Sequence, residues 1–177
     1  MKIKIDENIL LSQVKLSDAA DIFYIIDTQR EYLGKWLLFV EHTKTVKDTE
    51  AFLKSVIEVP EDSAELVFVI RWMGTLIGLI GFRNTDKANR RTEVGYWLSE
   101  DFQKRGIITK SLKCLVEIAF EERNINRIAL RCAVRNDASK NVALRAGFRF
   151  EGTERKGELL SEGKFRDLEV YSRLSSD

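Results

Sequence analysis

No apolar run in this 177-residue chain approaches the roughly 20 residues needed to cross a bilayer, so no membrane span and no membrane partner are expected. The first residues, Met1 to Ser12, mix charges into their apolar positions and lack a continuous hydrophobic stretch followed by small residues. That is unlike a secretory signal, so the segment reads as a first strand and the expected compartment is the cytoplasm. An excess of one charge is also lacking. Twenty-nine basic and 28 acidic side chains leave +1, which provides no global field for nucleic acid or anionic lipid, so any anion site has to be local. The two cysteines, Cys114 and Cys132, match no metal-ligand spacing and read as packed apolar groups rather than a disulfide. The single histidine, His42, is remote in sequence from both, so neither a metal site nor an activated thiolate is expected. Pro60 is the only proline, and repeats and low-complexity stretches are missing. With no linker in evidence, residues 1–177 are expected to form one domain.

What the chain does have is alternating periodicity. Ser17 before Asp18 and Asp21 predicts a capped helix from about residue 18, with Ala19, Ile22, Phe23 and Ile26 on its apolar face. Thr45 and Asp48 have the form of a capping box for a second helix, carrying Val46, Phe52, Leu53, Val56 and Ile57 and ending before Pro60. The aromatic-rich stretch between them, Tyr32 to Thr43, reads as irregular. Residues 65–72 and 75–82, joined by Met73-Gly74, predict an antiparallel hairpin, and 91–98 a further strand. An apolar stripe at Ile108, Leu112, Leu115, Val116 and Ala119 marks an amphipathic helix. A strand at 127–134, a helix from Ala138 to Ala146 closed by Gly147, and strands at about 148–156 and 167–174 complete the chain. This order argues an α/β sandwich, mostly antiparallel. The strand-helix-strand unit at 91–134 needs a crossover and should be parallel.

The segment with chemical content is Gln103-Lys104-Arg105-Gly106-Ile107-Ile108-Thr109, after a strand and at the start of a helix. Free N–H groups at a helix start, with a glycine that lets an anion approach the main chain, can cradle a pyrophosphate. Lys104, Arg105 and Lys110 would add positive charge for other phosphate oxygens. A basic loop that merely caps a helix is the other reading of the same residues.

The pattern Gln103-x-x-Gly106-x-Ile108 resembles the acetyl-CoA signature of the GNAT superfamily of N-acetyltransferases, with Ile108 in place of the usual small residue. Glu93-Val-Gly-Tyr-Trp-Leu98, Asn136-Asp-Ala-Ser139, Ala146-Gly-Phe148 and Gly163-x-x-x-Asp167-x-x-x-Tyr171-x-Arg173 are similar to the RimJ/RimL branch, which acetylates N-terminal α-amines of ribosomal proteins. The resemblance spans roughly residues 8 to 174. It implies a mixed, mostly antiparallel sheet with helices on both faces, splayed between the fourth and fifth strands counted above (those at 91–98 and 127–134). In that gap the pantetheine arm of acetyl-CoA would bond to main chain near Trp97 and Leu98. The loop Gln103 to Thr109 would hold the phosphates, and Asn136 would reach the pantetheine as well as capping the following helix. The tyrosine that many relatives use to protonate the departing thiolate is replaced by Ala143, so Ser139 is the candidate donor. Glu93 is the leading candidate base and Glu65 the second. Each also reads as an ordinary strand-edge carboxylate, and water suffices for an α-amine with a pKa of about 7.7–8.0.

With no activated thiolate for a covalent acetyl-cysteine route, direct transfer in a ternary complex is the simpler expectation, no metal is expected, and the resemblance implies a homodimer or higher homo-oligomer. The apolar residues Tyr32, Trp36, Leu37, Leu38 and Phe39 read either as core packing or as one wall of the acceptor site, and the resemblance makes the loop Arg155 to Phe165 the opposite wall. Two alternatives stay open: a small amine such as a polyamine or an antibiotic as acceptor, and a non-catalytic acyl-CoA-binding protein.

Overall fold

The structure is a computed structural model, and it describes residues 1–59 and 65–177, with only the backbone of Glu162. Pro60, the expected stop of the second helix, lies outside the described residues. The chain is mixed α/β and divides into two compact units, Met1–Gly81 with Tyr96–Ile107, and Phe82–Gly95 with Ile108–Asp177.

In the first unit, β1 (Lys2–Lys4) and β2 (Ile9–Gln13) form an antiparallel pair where a single strand was expected. The cause is Asp6, whose carboxylate accepts from the N–H groups of Asn8 and Ile9, both at 2.9 Å, and turns the chain back. Strand β3 (Val67–Trp72) pairs with β2 and with β4 (Thr75–Asp86), both antiparallel. Met73 and Gly74 turn the hairpin with φ of 49° and 90°, the left-handed pair that matches strand twist in a two-residue loop. The second arm extends four residues past the expected end at Phe82.

Helix α1 (Ala19–Thr28) follows a 3₁₀ turn at Leu16–Asp18. The anchoring side chain is Asp18 rather than Ser17. Asp18 is buried, accepts from the Lys15 N–H at 2.9 Å and pairs with Arg71 at 2.7 Å, which offsets the cost of burying its charge. Helix α4 (Val46–Ile57) starts with the predicted box, the Asp48 carboxylate accepting from the Thr45 N–H at 2.8 Å. The connection read as irregular holds two short helices, α2 (Arg30–Gly34) and α3 (Phe39–His42). Arg30 fastens them by donating to the carbonyls of Val40 at 2.9 Å and Thr43 at 2.6 Å. Ile22, Ile26, Leu33, Leu53, Val69, Leu76 and Trp97 belong to the core of this unit, with Tyr32 and Leu37 packed on it.

The second unit holds β5 (Arg91–Leu98) as far as Gly95, β6 (Arg127–Ala133), β7 (Arg149–Leu159) and β8 (Phe165–Leu174), in the order β5-β6-β8-β7. As the crossover required, β5 and β6 are parallel, while β8 runs antiparallel to both β6 and β7. Helix α5 (Ile107–Glu121) makes the crossover, and its stripe residues Leu112, Leu115, Val116 and Ala119 are fully buried. Each such large aliphatic side chain contributes about 1.5–3 kcal/mol. Helix α6 (Asp137–Arg145) is followed by Gly147 at φ 83°, and Arg173 donates to the Ala146 carbonyl at 3.0 Å. The tail residues singled out in the sequence are thus fasteners: Tyr171 is buried, and Asp167 accepts from the Lys156 N–H at 2.8 Å. Among the described residues, no helix is long and apolar enough to cross a membrane.

Candidate active site

In the first unit the end of β5 leads into the glycine loop. Trp97 and Leu98 are buried, and Gly78 on β4 lies so close to the Trp97 carbonyl and the Leu98 Cα that any side chain there would force the strands apart. The Ser99 N–H donates to the Ile77 carbonyl at 2.8 Å. Gln29, just past α1, then uses both ends of its amide. Nε2 donates to the Ser99 hydroxyl at 2.8 Å, and Oε1 accepts from the Glu100 N–H at 2.9 Å. A 3₁₀ turn at Glu100–Phe102 follows, and the Gln103 amide donates to the Tyr32 hydroxyl. Burial moves the Tyr32 phenol up from its ordinary value, against the lowering effect of that hydrogen bond. The loop is therefore fixed at its entry by Gln29 and Tyr32, two contacts about 70 residues distant that no local pattern announces.

Beyond Gln103 the loop opens. Lys104 and Gly106 adopt left-handed φ of 60° and 73°, and Lys104, Arg105 and Gly106 are all exposed. A Cβ built on Gly106 meets nothing within 4 Å, so the main chain here borders open space. Ile107 and Ile108 are both buried, and Thr109 is half-buried. The unusual Ile108 is accordingly a core residue of the helix start. The Arg105 guanidinium sits 5.8 Å from the Trp72 ring centre and 5.2 Å from that of Phe102.

In the second unit, Glu93 is buried between two arginines. Arg131 donates to it at 2.7 Å, and Arg83 donates through Nε at 2.9 Å and again through Nη2. Burial alone would push the Glu93 carboxyl up; the Arg131 hydrogen bond and the Arg83 charge outweigh it, and the net displacement is downward. A carboxylate held in that state accepts protons poorly. Thr92, Glu93 and Val94 are all buried. Glu65, just ahead of β3 in the first unit, is half-buried.

Asn136 caps α6, its Oδ1 accepting from the Ser139 N–H at 3.2 Å. The Ser139 hydroxyl hydrogen-bonds with the Cys132 thiol. Burial first, and then the Glu169 charge, pushes that thiol up to about 11, which keeps it protonated at neutral pH. Cys114 is likewise displaced upward by burial. His42 ends α3, and among the described residues no three His, Cys, Asp or Glu side chains come together to form a metal set. The structure thus brings Asn136, Ser139 and Cys132 together in one unit, and Trp97, Leu98 and the loop from Gln103 to Ile107 in the other.

The sequence model of the "Acetyltransferase (GNAT) domain" matches residues 8–149, and the chain belongs to this GNAT acetyltransferase family. It is 35% identical over 176 residues to the "Putative ribosomal N-acetyltransferase YdaF" of Bacillus subtilis (strain 168), covering 98% of this chain and 95% of that protein. The ribosomal-protein-serine acetyltransferase of Escherichia coli (strain K12) is 28% identical over 172 residues, covering 97% and 96%. The crystal structure of the microcin C7 self-immunity acetyltransferase MccE with acetyl-CoA and AMP superposes with a TM-score of 0.90 at 26% identity, covering 97% of this chain and 95% of that one.

Proposed function

We propose that the protein transfers an acetyl group from acetyl-CoA to the N-terminal α-amine of a protein, with a ribosomal protein as the leading acceptor. The observation that carries the reading is the open main chain at Gly106, left-handed, exposed and flanked by Lys104 and Arg105. That is a cradle for a phosphate chain, at the start of a 15-residue helix whose first N–H groups lack intrahelical partners. Two relatives aligned over nearly their whole length and named as ribosomal acetyltransferases support the acceptor class.

The residues fit acetyl-CoA. Gln103, Lys104, Arg105, Gly106, Ile107, Ile108 and Thr109 would hold its phosphates, the main chain at Trp97 and Leu98 its pantetheine arm, and the Nδ2 donors of Asn136, whose Oδ1 is used in capping, would meet a pantetheine carbonyl. The coenzyme supplies an acetyl group activated as a thioester. The Ser139 hydroxyl would donate a hydrogen bond to the coenzyme sulfur as it departs, and any proton it passed on would be replaced from solvent; its present partner, the Cys132 thiol, stays protonated and takes no covalent part. The acceptor proton leaves to solvent, since an α-amine with a pKa of about 7.7–8.0 is substantially neutral at physiological pH. Glu93, the leading base candidate from the sequence, is assigned a positioning role, because its two arginines hold it ionised. Tyr32 to Phe39 and Arg155 to Phe165 are proposed as acceptor walls. At the tip of the second, Leu159 and Phe165 are register partners and both are exposed.

The test is incubation of the purified protein with labelled acetyl-CoA and short peptides bearing free or blocked N-termini, alongside spermidine. Label on free N-termini alone supports the reading. Label on spermidine alone overturns the acceptor, and no transfer despite coenzyme binding overturns catalysis.

A further inference from the structure

Cys132, Ser139, Lys140, Glu169 and Tyr171 form a cluster in the second unit, and of these the proposed transfer uses only Ser139. Cys132 and Glu169 are register partners in the antiparallel β6–β8 pair, so their side chains share a face, with Cβ atoms about 4.5–5.5 Å apart. Tyr171, two residues further along β8, is on the same face; its buried hydroxyl donates to Glu169 Oε2 at 2.6 Å. From α6, Lys140 Nζ stands 3.9 Å from Glu169 Oε1, and Asp137 adds its charge on the Tyr171 side. The carboxylate is therefore fixed by a short bond from a rigid ring, with its side chain only 17% exposed, while the lysine side chain is 43% exposed and held at the limit of an ion pair. Water screens such a lysine, so its charge does not cancel that of Glu169 at the cysteine, where the carboxylate acts more strongly than the ammonium.

We propose that Glu169, fixed by Tyr171, is a specificity-determining residue that keeps the acetyl group off Cys132 and so reserves it for the amine. The inference rests on the acetyl-CoA reading given above. Ser139 is proposed to meet the coenzyme sulfur, and Cys132 is one hydrogen bond from Ser139, which puts a second thiol beside the thioester. Exchange there would form a bond from Cys132 Sγ to the acetyl carbon and break the bond from that carbon to the coenzyme sulfur. The cysteine proton would end on the released coenzyme thiol. One thioester replaces another, so no large driving force opposes the exchange, and the reacting species is the thiolate. A fixed negative charge across the strand pair opposes formation of that thiolate without touching the amine route.

The test uses a Cys114→Ala background, in which Cys132 is the sole thiol, and compares it with the same protein carrying Glu169→Gln or Lys140→Ala. Alkylation of Cys132 by iodoacetamide at mildly alkaline pH should be about 3-fold to 10-fold faster in Glu169→Gln, because the opposing charge is gone. In Lys140→Ala it should be unchanged or slower, because only the assisting charge is gone. Mere loosening of the ion pair would instead speed both. With acetyl-CoA and no acceptor, intact-mass spectrometry should find an acetyl adduct on Glu169→Gln that hydroxylamine removes, and none on the other two proteins. Unchanged alkylation in Glu169→Gln, or faster alkylation in Lys140→Ala, overturns the proposal. The lysine variant places a good helix former within α6 and will fold, so it tests the charge argument even if Glu169→Gln does not. Faster alkylation without an acetyl adduct, in a protein that still acetylates peptides, overturns the role of Glu169 while leaving the acetyl-CoA reading intact. Failure of the background protein to bind coenzyme A overturns both.

Discussion

Glu93 on β5 accepts a hydrogen bond from Arg131 on β6 at 2.7 Å, with Arg131 two residues beyond Ala129, the register partner of Glu93. Arg83, in the end of β4 that belongs to the second unit, closes on the same carboxylate, so one buried acid ties together three strand segments of that unit. Replacing it by glutamine removes the charge and leaves two guanidiniums facing a neutral amide. Glu93→Gln is predicted to lose about 1–3 kcal/mol in denaturant unfolding at neutral pH. Because the carboxyl is lowered in the folded protein, its contribution is present above the unfolded value of about 4.3 and is lost as pH falls through the folded value. The difference between parent and variant should therefore shrink under acid. In the pH–rate profile, Glu93→Gln should keep the limb set by the amine; disappearance of that limb would make Glu93 the base after all.

Ser139 and Cys132 share a hydrogen bond, yet only one is assigned a part in transfer. Ser139→Ala is predicted to lower kcat about 100-fold with little change in KM for acetyl-CoA, the loss expected for one general acid. Cys132→Ala should keep kcat within about 2-fold, because a thiol raised to about 11 supplies negligible thiolate at neutral pH. Steady-state kinetics at saturating acceptor separate the two, and equal losses would refute the distinction.

Gly106 combines a φ of 73° with open space around it. Gly106→Ala is predicted to cost about 1 kcal/mol in thermal or denaturant unfolding, since only the backbone strain is new. It should weaken coenzyme A binding by more than that strain explains, since the methyl group projects into the proposed cradle. Calorimetry alongside unfolding checks this, and unchanged coenzyme affinity would remove the cradle.

Tyr32 holds Gln103 at the loop entry. Tyr32→Phe removes that bond and should weaken coenzyme A binding by about 2-fold to 10-fold, in line with a single hydrogen bond of about 0.5–1.5 kcal/mol. The acceptor KM should move less if the role of Tyr32 is to fix the loop, and more if the ring is an acceptor wall.

The fold was readable wherever local chemistry decides it. Met73-Gly74 specified the hairpin, Thr45 with Asp48 the start of α4, the Ile108 to Ala119 stripe the crossover helix, and the crossover itself the parallel pair. Helices α2 and α3 were missed because segments of five and four residues are too short to display a period, and what fastens them is Arg30 reaching carbonyls ten and thirteen residues ahead. The glycine loop was legible from its residues. The partners that fix it were not, because Gln29 with Ser99 and Tyr32 with Gln103 are joined only by the folding of distant segments. Glu93 was named as a candidate base or strand-edge carboxylate, and nothing in its local sequence hints that Arg83 and Arg131 converge on it.

The most direct measurement supplies a peptide with both a free α-amine and an internal lysine, then locates the acetyl group by fragment mass spectrometry after reaction with acetyl-CoA. Acetylation at the α-amine, with the lysine unmodified, is the predicted result. Acetylation of the lysine, or of neither amine by a protein that binds coenzyme A, would contradict it.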